Sequence, residues 1–423
     1  MNDVENAAGP GYTQHRRFWR LIVVAMVLGA VGAVSGLVFL GLTDLGPKLY
    51  GEQASGWMEG KVWWVAVTTG AGLVVGVLRH RLGLQGETPG LVKNLREEEV
   101  DAKGVAKVVA VSAVSLFGGA SLGPEVALGH IGGGTGSVLA DRADLDDDAR
   151  KEYTLTGIAG AFGGLFSSPL MSSILVMEIS SPPRRRVGVS LMGTLVSSTV
   201  SLGLYFAVAG TVFLGLYDVP AYDYEDWHLV AGLGLGLCAA LVVVATMVMT
   251  MATRRLFERV SVPPVALAML GGLVFGLVGV MLPLTNFTGT SQLATALQSA
   301  GTLSVGLLLA TMIAKMLTLA VSQSTGFVGG AIFPMLFLGG VGGIVIHLLI
   351  PGIPLGLAFA SMLAAVPGAL IAAPFTLVLL AALLTGVGAL QTSPIVVAVA
   401  TSFLTISALK LAMARRKAAT KTG

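Results

Sequence analysis

Gly118-Gly-Ala-Ser-Leu-Gly-Pro-Glu-Val-Ala-Leu-Gly129 is the stretch on which the fold turns. It follows an apolar run and carries one charge, Glu125. Gly123 and Pro124 break the preceding helix. Proline suits the first turn of a new one, so a helix is expected to start at about Glu125. What a carboxylate does at such a helix start depends on what surrounds it, and composition decides that.

Of the 423 residues, 54% are hydrophobic and only 12% are charged. The mean hydropathy is +0.83. Soluble domains carry about 25% charged residues. From Val260 to Leu409 the one Asp, Glu, Lys or Arg is Lys315. A soluble surface cannot be built from such a stretch, whereas a bilayer accommodates it. Leu21 to Thr43, Val62 to Leu78 and Leu229 to Thr253 approach or exceed the roughly 20 residues a spanning helix needs. The apolar runs are continuous rather than alternating, which excludes a β-barrel. The 57 glycines permit close helix approach and broken or re-entrant helices. The expected fold class is therefore all-α: a polytopic membrane protein of some sixteen helical segments, many shorter than a full span.

Formal net charge is +3, and its placement is more informative than its size. Basic clusters stand at span ends: Arg16, Arg17 and Arg20; Arg79 and Arg81; Arg184 to Arg186; Arg254, Arg255 and Arg259; Lys410 to Lys421. The loop with Asp44, Lys48, Glu52, Glu59 and Lys61 is balanced. The positive-inside rule then puts both termini in the cytoplasm of a multi-pass cell-membrane protein. Because the basic clusters sit at span ends, a nucleic-acid partner is not expected. Cys238 is the one cysteine and lies in an apolar run, so no intrachain disulfide is possible. Leu21 to Thr43 is too long for a cleavable signal peptide. Asp144, Asp146, Asp147 and Asp148 lack the Gly turn and final Glu of a calcium loop and read as a solvated helix start. His15, His80, His130, His228 and His347 have no metal-ligand spacing, so neither a metal nor another cofactor is expected. No Walker lysine motif exists. An intramembrane enzyme would need an activated nucleophile, and Ser121 has no histidine placed to serve it. An organic-solute transporter would carry more polar and aromatic residues in its spans.

Residues 1–15 are polar and expected to be disordered. The membrane domain is expected over 16–412, followed by a basic cytoplasmic tail over 413–423. Short, Gly-interrupted apolar segments in corresponding halves mark transporters with inverted repeats. Gly119, Gly123, Gly132, Gly133 and Gly136 fall at a constant offset on Gly326, Gly330, Gly339, Gly340 and Gly343. Two halves of about 16–215 and 228–412 follow, with a hinge near Leu216 to Trp227.

Two segments carry chemistry. At Glu125, the free N–H groups and positive dipole end of the new helix attract anions. Two readings fit. The carboxylate occupies the anion position and leaves on protonation, which makes it a gate, or it is a capping acid in a vestibule. The second segment is Ser324-Thr-Gly-Phe-Val-Gly-Gly-Ala-Ile-Phe-Pro334. Gly326, Gly329 and Gly330 break one helix and expose the start of another, so the amides of Ala331, Ile332 and Phe333 can bind an anion weakly enough to release it. A glycine-rich packing kink fits the same residues. Lys315 is placed inside the bilayer and is expected to pair with a carboxylate or with carbonyls.

These segments resemble the second and third signatures of the CLC chloride channels and transporters. Gly118, Gly119, Leu122, Gly123 and Glu125, then Ile131, Gly132, Gly133 and Gly136, keep the frame around the family's gate. Val126 and Ala127 replace its Gly-Pro. Gly330-Ala-Ile-Phe-Pro334 resembles Gly-x-Phe-x-Pro, with Pro334 in register and Ile332 at the usual Phe. Lys315 falls where the family has a basic residue, and Ser168-Pro169-Leu170 through Glu178 resembles a further family helix. The likeness covers roughly residues 20 to 410 and is strongest to a divergent bacterial branch of ion-transport proteins.

The resemblance implies a CLC-like fold of two inverted halves and a homodimer with one pore per subunit. It also implies movement of chloride, with fluoride as a further possibility, gated by Glu125. The backbone amides of Gly86, Glu125, Val126, Ala331 and Ile332 would bind the anion, with Gly123, Pro124, Gly329, Gly330 and Pro334 shaping the loops. Three departures bear on mechanism. Gln85-Gly86-Glu87-Thr88-Pro89 stands for the first signature, with Gly86 in place of the anion-binding Ser. Ile179 stands where proton-coupled members carry an inner glutamate. Neighbouring Glu178 is either a substitute proton donor or a structural acid. The terminal helix with its anion-coordinating Tyr and the large cytoplasmic domains of some members are not expected. Loss of the inner glutamate leans toward a passive channel, with a proton-coupled chloride or fluoride antiporter as the alternative.

Overall fold

The computed structural model describes residues 16–48, 63–84, 86, 88, 90–210, 215–371 and 373–422. The expectations about residues 1–15, about Glu52, Glu59 and Lys61, and about Gln85, Glu87 and Pro89 lie outside the described residues. The described residues form sixteen α-helices and one short 3-10 turn, Pro283–Thr285. In chain order the helices are α1 (Arg16–Pro47), α2 (Trp63–Arg81), α3 (Leu91–Glu97), α4 (Val105–Phe117), α5 (Glu125–Arg142), α6 (Asp147–Leu165), α7 (Pro169–Ser180) and α8 (Arg184–Ala209). They continue with α9 (Trp227–Glu258), α10 (Pro264–Met281), α11 (Thr290–Gln298), α12 (Val305–Ser324), α13 (Ile332–Leu349), α14 (Leu355–Ile371), α15 (Pro374–Thr385) and α16 (Thr392–Thr422). Seven are long and apolar enough to cross a membrane: α1, α8, α9, α10, α12, α13 and α16 over Thr392–Arg416. On α1 the valines 23, 27, 34 and 38 are exposed, while Leu21, Ala25, Leu28 and Ala33 are buried. A helix apolar all round is what a lipid-facing position requires.

The chain divides into two compact units. The first holds Met1–Phe213, Val262–Gly276 and Thr325–Gly330, and the second holds Leu214–Ser261, Leu277–Ser324 and Ala331–Gly423. Glycine governs packing in each. In the first unit, a Cβ on Gly132 would strike the Gly157 carbonyl of α6, and one on Gly136 would strike that of Tyr153. In the second, Gly339 and Gly343 of α13 meet the carbonyls of Met362 and Ala358 on α14 in the same way. These are the glycines that align at a constant offset in the sequence. Each pair lets two helix backbones touch, which is the main attraction between helices where lipid is as apolar as the side chains.

The charges of the first unit collect at helix ends. Arg17 at the start of α1 pairs with Asp146 at 2.8 Å, and Arg185 at the start of α8 pairs with Asp148 at 2.8 Å. Arg150 on α6 reaches Glu99, just past α3, at 3.0 Å. Arg186 and Glu98 form a buried pair, with Asp148 3.5 Å from Arg186. The acidic segment is thus a helix start: Asp146 caps α6 by accepting from the Ala149 N–H at 2.9 Å. That bond first, and Arg17 after it, holds the Asp146 carboxyl below the usual carboxylate range. Among the described residues no group of His, Cys, Asp and Glu is placed to hold a metal.

Candidate functional site

The helix break at Gly118 is built by backbone geometry. Gly118 closes α4 by donating to Val114 O at 2.9 Å. Gly119 then turns with φ +88°, in the left-handed region where a side chain is strained. Its open side faces the Trp64 ring, 2.8 Å from where a Cβ would stand. Pro124 occupies the N-cap and α5 begins at Glu125, as the sequence predicts.

Gly123 does not end in open space. Its N–H donates to the Gly330 carbonyl at 2.8 Å, and the Gly330 N–H returns a bond of 2.8 Å to the Gly123 carbonyl. This two-residue antiparallel bridge joins the two glycine-rich breaks. Non-helical backbone at membrane depth must satisfy its polar groups within the protein, and these two residues satisfy each other. Two further contacts hold them: Val328 donates its N–H to Ser115 Oγ at 3.1 Å, and Gly329 lies against Leu122, whose Cβ is 2.6 Å from where a side chain would begin.

Glu125 is 1% exposed, although it is the acidic residue of the first turn of α5. Its carboxyl lies directly on the α-carbon of Gly330, and any side chain there would overlap the carboxyl carbon and Oε1. The same glycine therefore pairs with Gly123 and seats the carboxylate. In the first turn, Glu125, Val126 and Ala127 have N–H groups for which helix geometry supplies no intrahelical acceptor.

The remaining expected site residues are placed as follows. Gly86 has φ +82° and its carbonyl accepts from Arg79 Nη2 at 2.6 Å. Arg79 also lies against Gly326, with Cδ and Nε each 3.3 Å from where a Cβ would be. Sequence reasoning saw Arg79 only as a charge at a span end. Ala331 forms the N-cap of α13 with φ −105°, so the helix starts at Ile332, with Pro334 in its first turn. Lys315 is fully buried, and Nζ donates to the carbonyls of Thr285 at 3.1 Å and Phe287 at 2.8 Å while standing 5.1 Å from the Phe337 ring centre. Carbonyls and an aromatic face, rather than a carboxylate, are its observed partners. Glu178 is half-buried near the end of α7, and Ile179 beside it is 6% exposed. His130, read in the sequence only as a non-metal histidine, is buried five residues beyond Glu125 and bonded through both ring nitrogens.

This arrangement of interrupted helices has known counterparts. Residues 72–407 match the family described as voltage gated chloride channel. The chain belongs to the CLC family. It is accordingly a multi-pass membrane protein of anion transport, in a family of channels and transporters rather than enzymes. Among curated relatives, the CLC chain is 24% identical over 353 residues to "Putative ion-transport protein YfeO" of Shigella flexneri, covering 80% of this chain and 82% of that one. The protein of that name from Salmonella newport (strain SL254) is 26% identical over 301 residues, covering 69% and 71%. The fold is similar to that of a slow cyanobacterial Cl⁻/H⁺ antiporter, with a TM-score of 0.79, 18% identity and coverage of 93% and 95%. A CLC-type fluoride/proton antiporter gives a TM-score of 0.73 at 19% identity, covering 91% and 93%. At these identities the two structures bear on the fold, which is the CLC fold.

Proposed function

We propose that this protein is a passive path for chloride or a similar small anion, with Glu125 as its gate. One observation carries the reading: a buried carboxylate lies at the N-terminal turn of α5, seated on Gly330. The dipole end of α5 favours negative charge there, whether on an anion or on Glu125 itself. Ionised, the side chain holds the anion position. Protonated, it loses the attraction and yields the position.

The amides of Glu125 and Val126, with those of Ala331, Ile332 and Gly86, are the proposed donors. Backbone dipoles bind without the depth of a fixed cation, which lets the ion leave. Uncoupled movement is favoured because apolar Ile179 stands where a proton-coupled member places its inner acid. A coupled chloride or fluoride antiporter is the second reading, supported by half-buried Glu178 on the adjacent position. The basic clusters at the starts of α1 and α8 support cytoplasmic termini. A second copy of the chain is the proposed partner, as family membership suggests.

The test is anion efflux from proteoliposomes, with and without a pH gradient, for chloride and for fluoride, in wild type and Glu125→Ala. Efflux that rises on acidification in the wild type and ignores pH in Glu125→Ala is expected. No efflux from either protein sinks the reading. Uphill proton movement driven by the anion gradient establishes the antiporter instead. A pH response that survives in Glu125→Ala removes the gate assignment.

A further inference from the structure

His130 lies five residues past Glu125 on α5 and is 4% exposed. Its Nδ1 is 2.7 Å from the Val126 carbonyl, and its Nε2 is 3.3 Å from Nδ2 of Asn94. A carbonyl only accepts, so Nδ1 carries a hydrogen and donates it. In the neutral ring Nε2 is then a lone pair, and it accepts from the Asn94 amide. Asn94, 5% exposed, belongs to α3. Next to His130, Gly129 allows Leu91 of α3 to come close, with Leu91 Cδ1 2.9 Å from where a Cβ would be. The seam between α3 and α5 is thus a glycine contact and a hydrogen bond made through an imidazole.

We propose that His130 is a second titratable group of the gate, a positioning residue that acts on α3 through Asn94 and on Glu125 through its charge. The inference rests on Glu125 being the gate. On acidification, hydronium gives a proton to the Nε2 lone pair and leaves as water, with no other covalent bond formed or broken. The ring then presents two N–H groups, and the Asn94 amide turns over to offer Oδ1 in place of Nδ2. The amide orientation therefore records the protonation state of the ring. At the same step a positive charge appears on α5, roughly 7.5 Å along the axis from Glu125. That charge stabilises the ionised carboxylate, so charging His130 opposes the protonation that opens the gate. The interaction at this distance and an effective dielectric of about 20 moves the Glu125 midpoint by on the order of one pH unit.

Burial makes the His130 ring harder to protonate, while its hydrogen bond to the Val126 carbonyl and then the Asp101 carboxylate, on the connection between α3 and α4, act the other way. On α3, Lys93 and Glu97 flank Asn94 and lie 3.9 Å from one another on an exposed face. On α6, Arg150 is occupied by Glu99 and Asp141, and Lys151 by Asp147. On α1, Arg17 is occupied by Asp146. Arg96 on α3, Lys107 on α4, Asp148, Glu152 and Tyr153 on α6, and Arg16, Arg20 and Asp44 on α1 complete the ionisable side chains within the facing helices. On α5 itself the charged groups are Glu125, Asp141 and Arg142.

The test uses the full chain in nanodiscs, with ¹⁵N-labelled histidine, and proteoliposome flux. The His130 signals are assigned by their loss in His130→Gln, whose size-exclusion profile and thermal melt must match the wild type. Expected in the wild type is the Nδ1–H tautomer at pH 8, converting to imidazolium on acidification. Asn94→Asp, which puts a carboxylate opposite Nε2, raises that midpoint by on the order of one pH unit. In flux, His130→Gln moves the Glu125 midpoint upward by a similar amount and steepens the curve. An Nε2–H tautomer, a ring that stays neutral to about pH 4, an unshifted midpoint in Asn94→Asp, or superimposable flux curves for wild type and His130→Gln each overturn the proposal. If the wild type passes no anion, the gate reading falls instead, and the tautomer and the Asn94→Asp shift still decide whether the pair titrates as described.

Discussion

Gly330→Ala tests the seat of the carboxylate most directly. A methyl group at this position would fall on the carboxyl carbon and Oε1 of Glu125. Ordinary contact between carbon atoms needs about 3.5–4 Å, so the carboxylate has to move by more than about 1 Å. The backbone cannot supply that movement cheaply, because Gly123 and Gly330 are tied by two bonds of 2.8 Å. The side chain must rotate, at a cost of about 0.5–1.5 kcal/mol if it leaves a staggered well. Charged against the closed arrangement, this raises the open fraction about 2- to 12-fold. The assay is chloride efflux from proteoliposomes across a pH series. Efflux near neutral pH should rise by that factor, and the dependence on acid should flatten. Gly329→Ala is the control. Its methyl would meet Leu122 Cβ at 2.6 Å and Gly123 O at 3.0 Å without touching Glu125, so it should lower stability without raising efflux. The double variant Gly330→Ala, Glu125→Ala should gain nothing over Glu125→Ala, because both changes remove one contact. An equal gain in the Glu125→Ala background would refute the reasoning, as would reduced efflux with an unchanged midpoint.

Three other outcomes follow from the contacts. Lys315→Met removes the donor from the Thr285 and Phe287 carbonyls, and each buried acceptor left alone costs about 1–3 kcal/mol; a matching loss should appear in detergent unfolding. Arg186→Met strands buried Glu98 and should cost about 3–5 kcal/mol, much of which the added change Glu98→Leu should restore in a double-mutant cycle. Asp146→Ala should cost about 1 kcal/mol through loss of the α6 cap, whereas Asp146→Asn keeps the cap and loses the Arg17 pair. Because the folded Asp146 carboxyl is held low, its stabilisation is present above the unfolded carboxylate value near pH 4 and disappears as pH falls through the lower folded value. The gap between wild type and Asp146→Asn should close in the same acid range.

Much of this was legible because membranes make sequence strict. A charge-poor run of the length between Val260 and Leu409 allows few architectures, and Gly123-Pro124 fixes where α5 starts. The resemblance to CLC proteins rested on the same breaks, and the family match bears it out. Other features left no trace. The Gly123–Gly330 bridge pairs two backbones, so no side-chain pattern announces it. The partners of Lys315 are carbonyls freed by the turn at Pro283–Thr285 and by Phe287, whose φ is +56°; sequence could offer carbonyls and a carboxylate equally. Metal-ligand spacing does not single out His130; its place five residues past a helix-start glutamate is the available signal. At the end of the chain, the basic residues of 413–423 read as a tail, while α16 continues to Thr422. Ala, Lys and Arg are strong helix formers, so leaving the apolar region does not by itself end a helix.

The bridge also constrains how the proposed gate can move. Gly123 immediately precedes the N-cap of α5, and Gly330 carries the Glu125 carboxylate, so both surfaces of the gate share one hydrogen-bonded frame. Opening by withdrawal of the α5 start from Gly330 would break both bridge bonds and leave four buried backbone groups without partners. At about 1–3 kcal/mol for each unsatisfied group, that is about 4–12 kcal/mol, which would leave the open state scarcely populated. Rotation of the Glu125 side chain breaks neither bond and costs on the order of 1 kcal/mol. The side-chain route wins by several kcal/mol, so acid should open the path while the frame stays closed. Backbone amide exchange separates the two routes: the Gly123 and Gly330 N–H groups should stay protected at the pH of maximal flux. Loss of that protection in step with the rise in flux would show that the helix start itself moves.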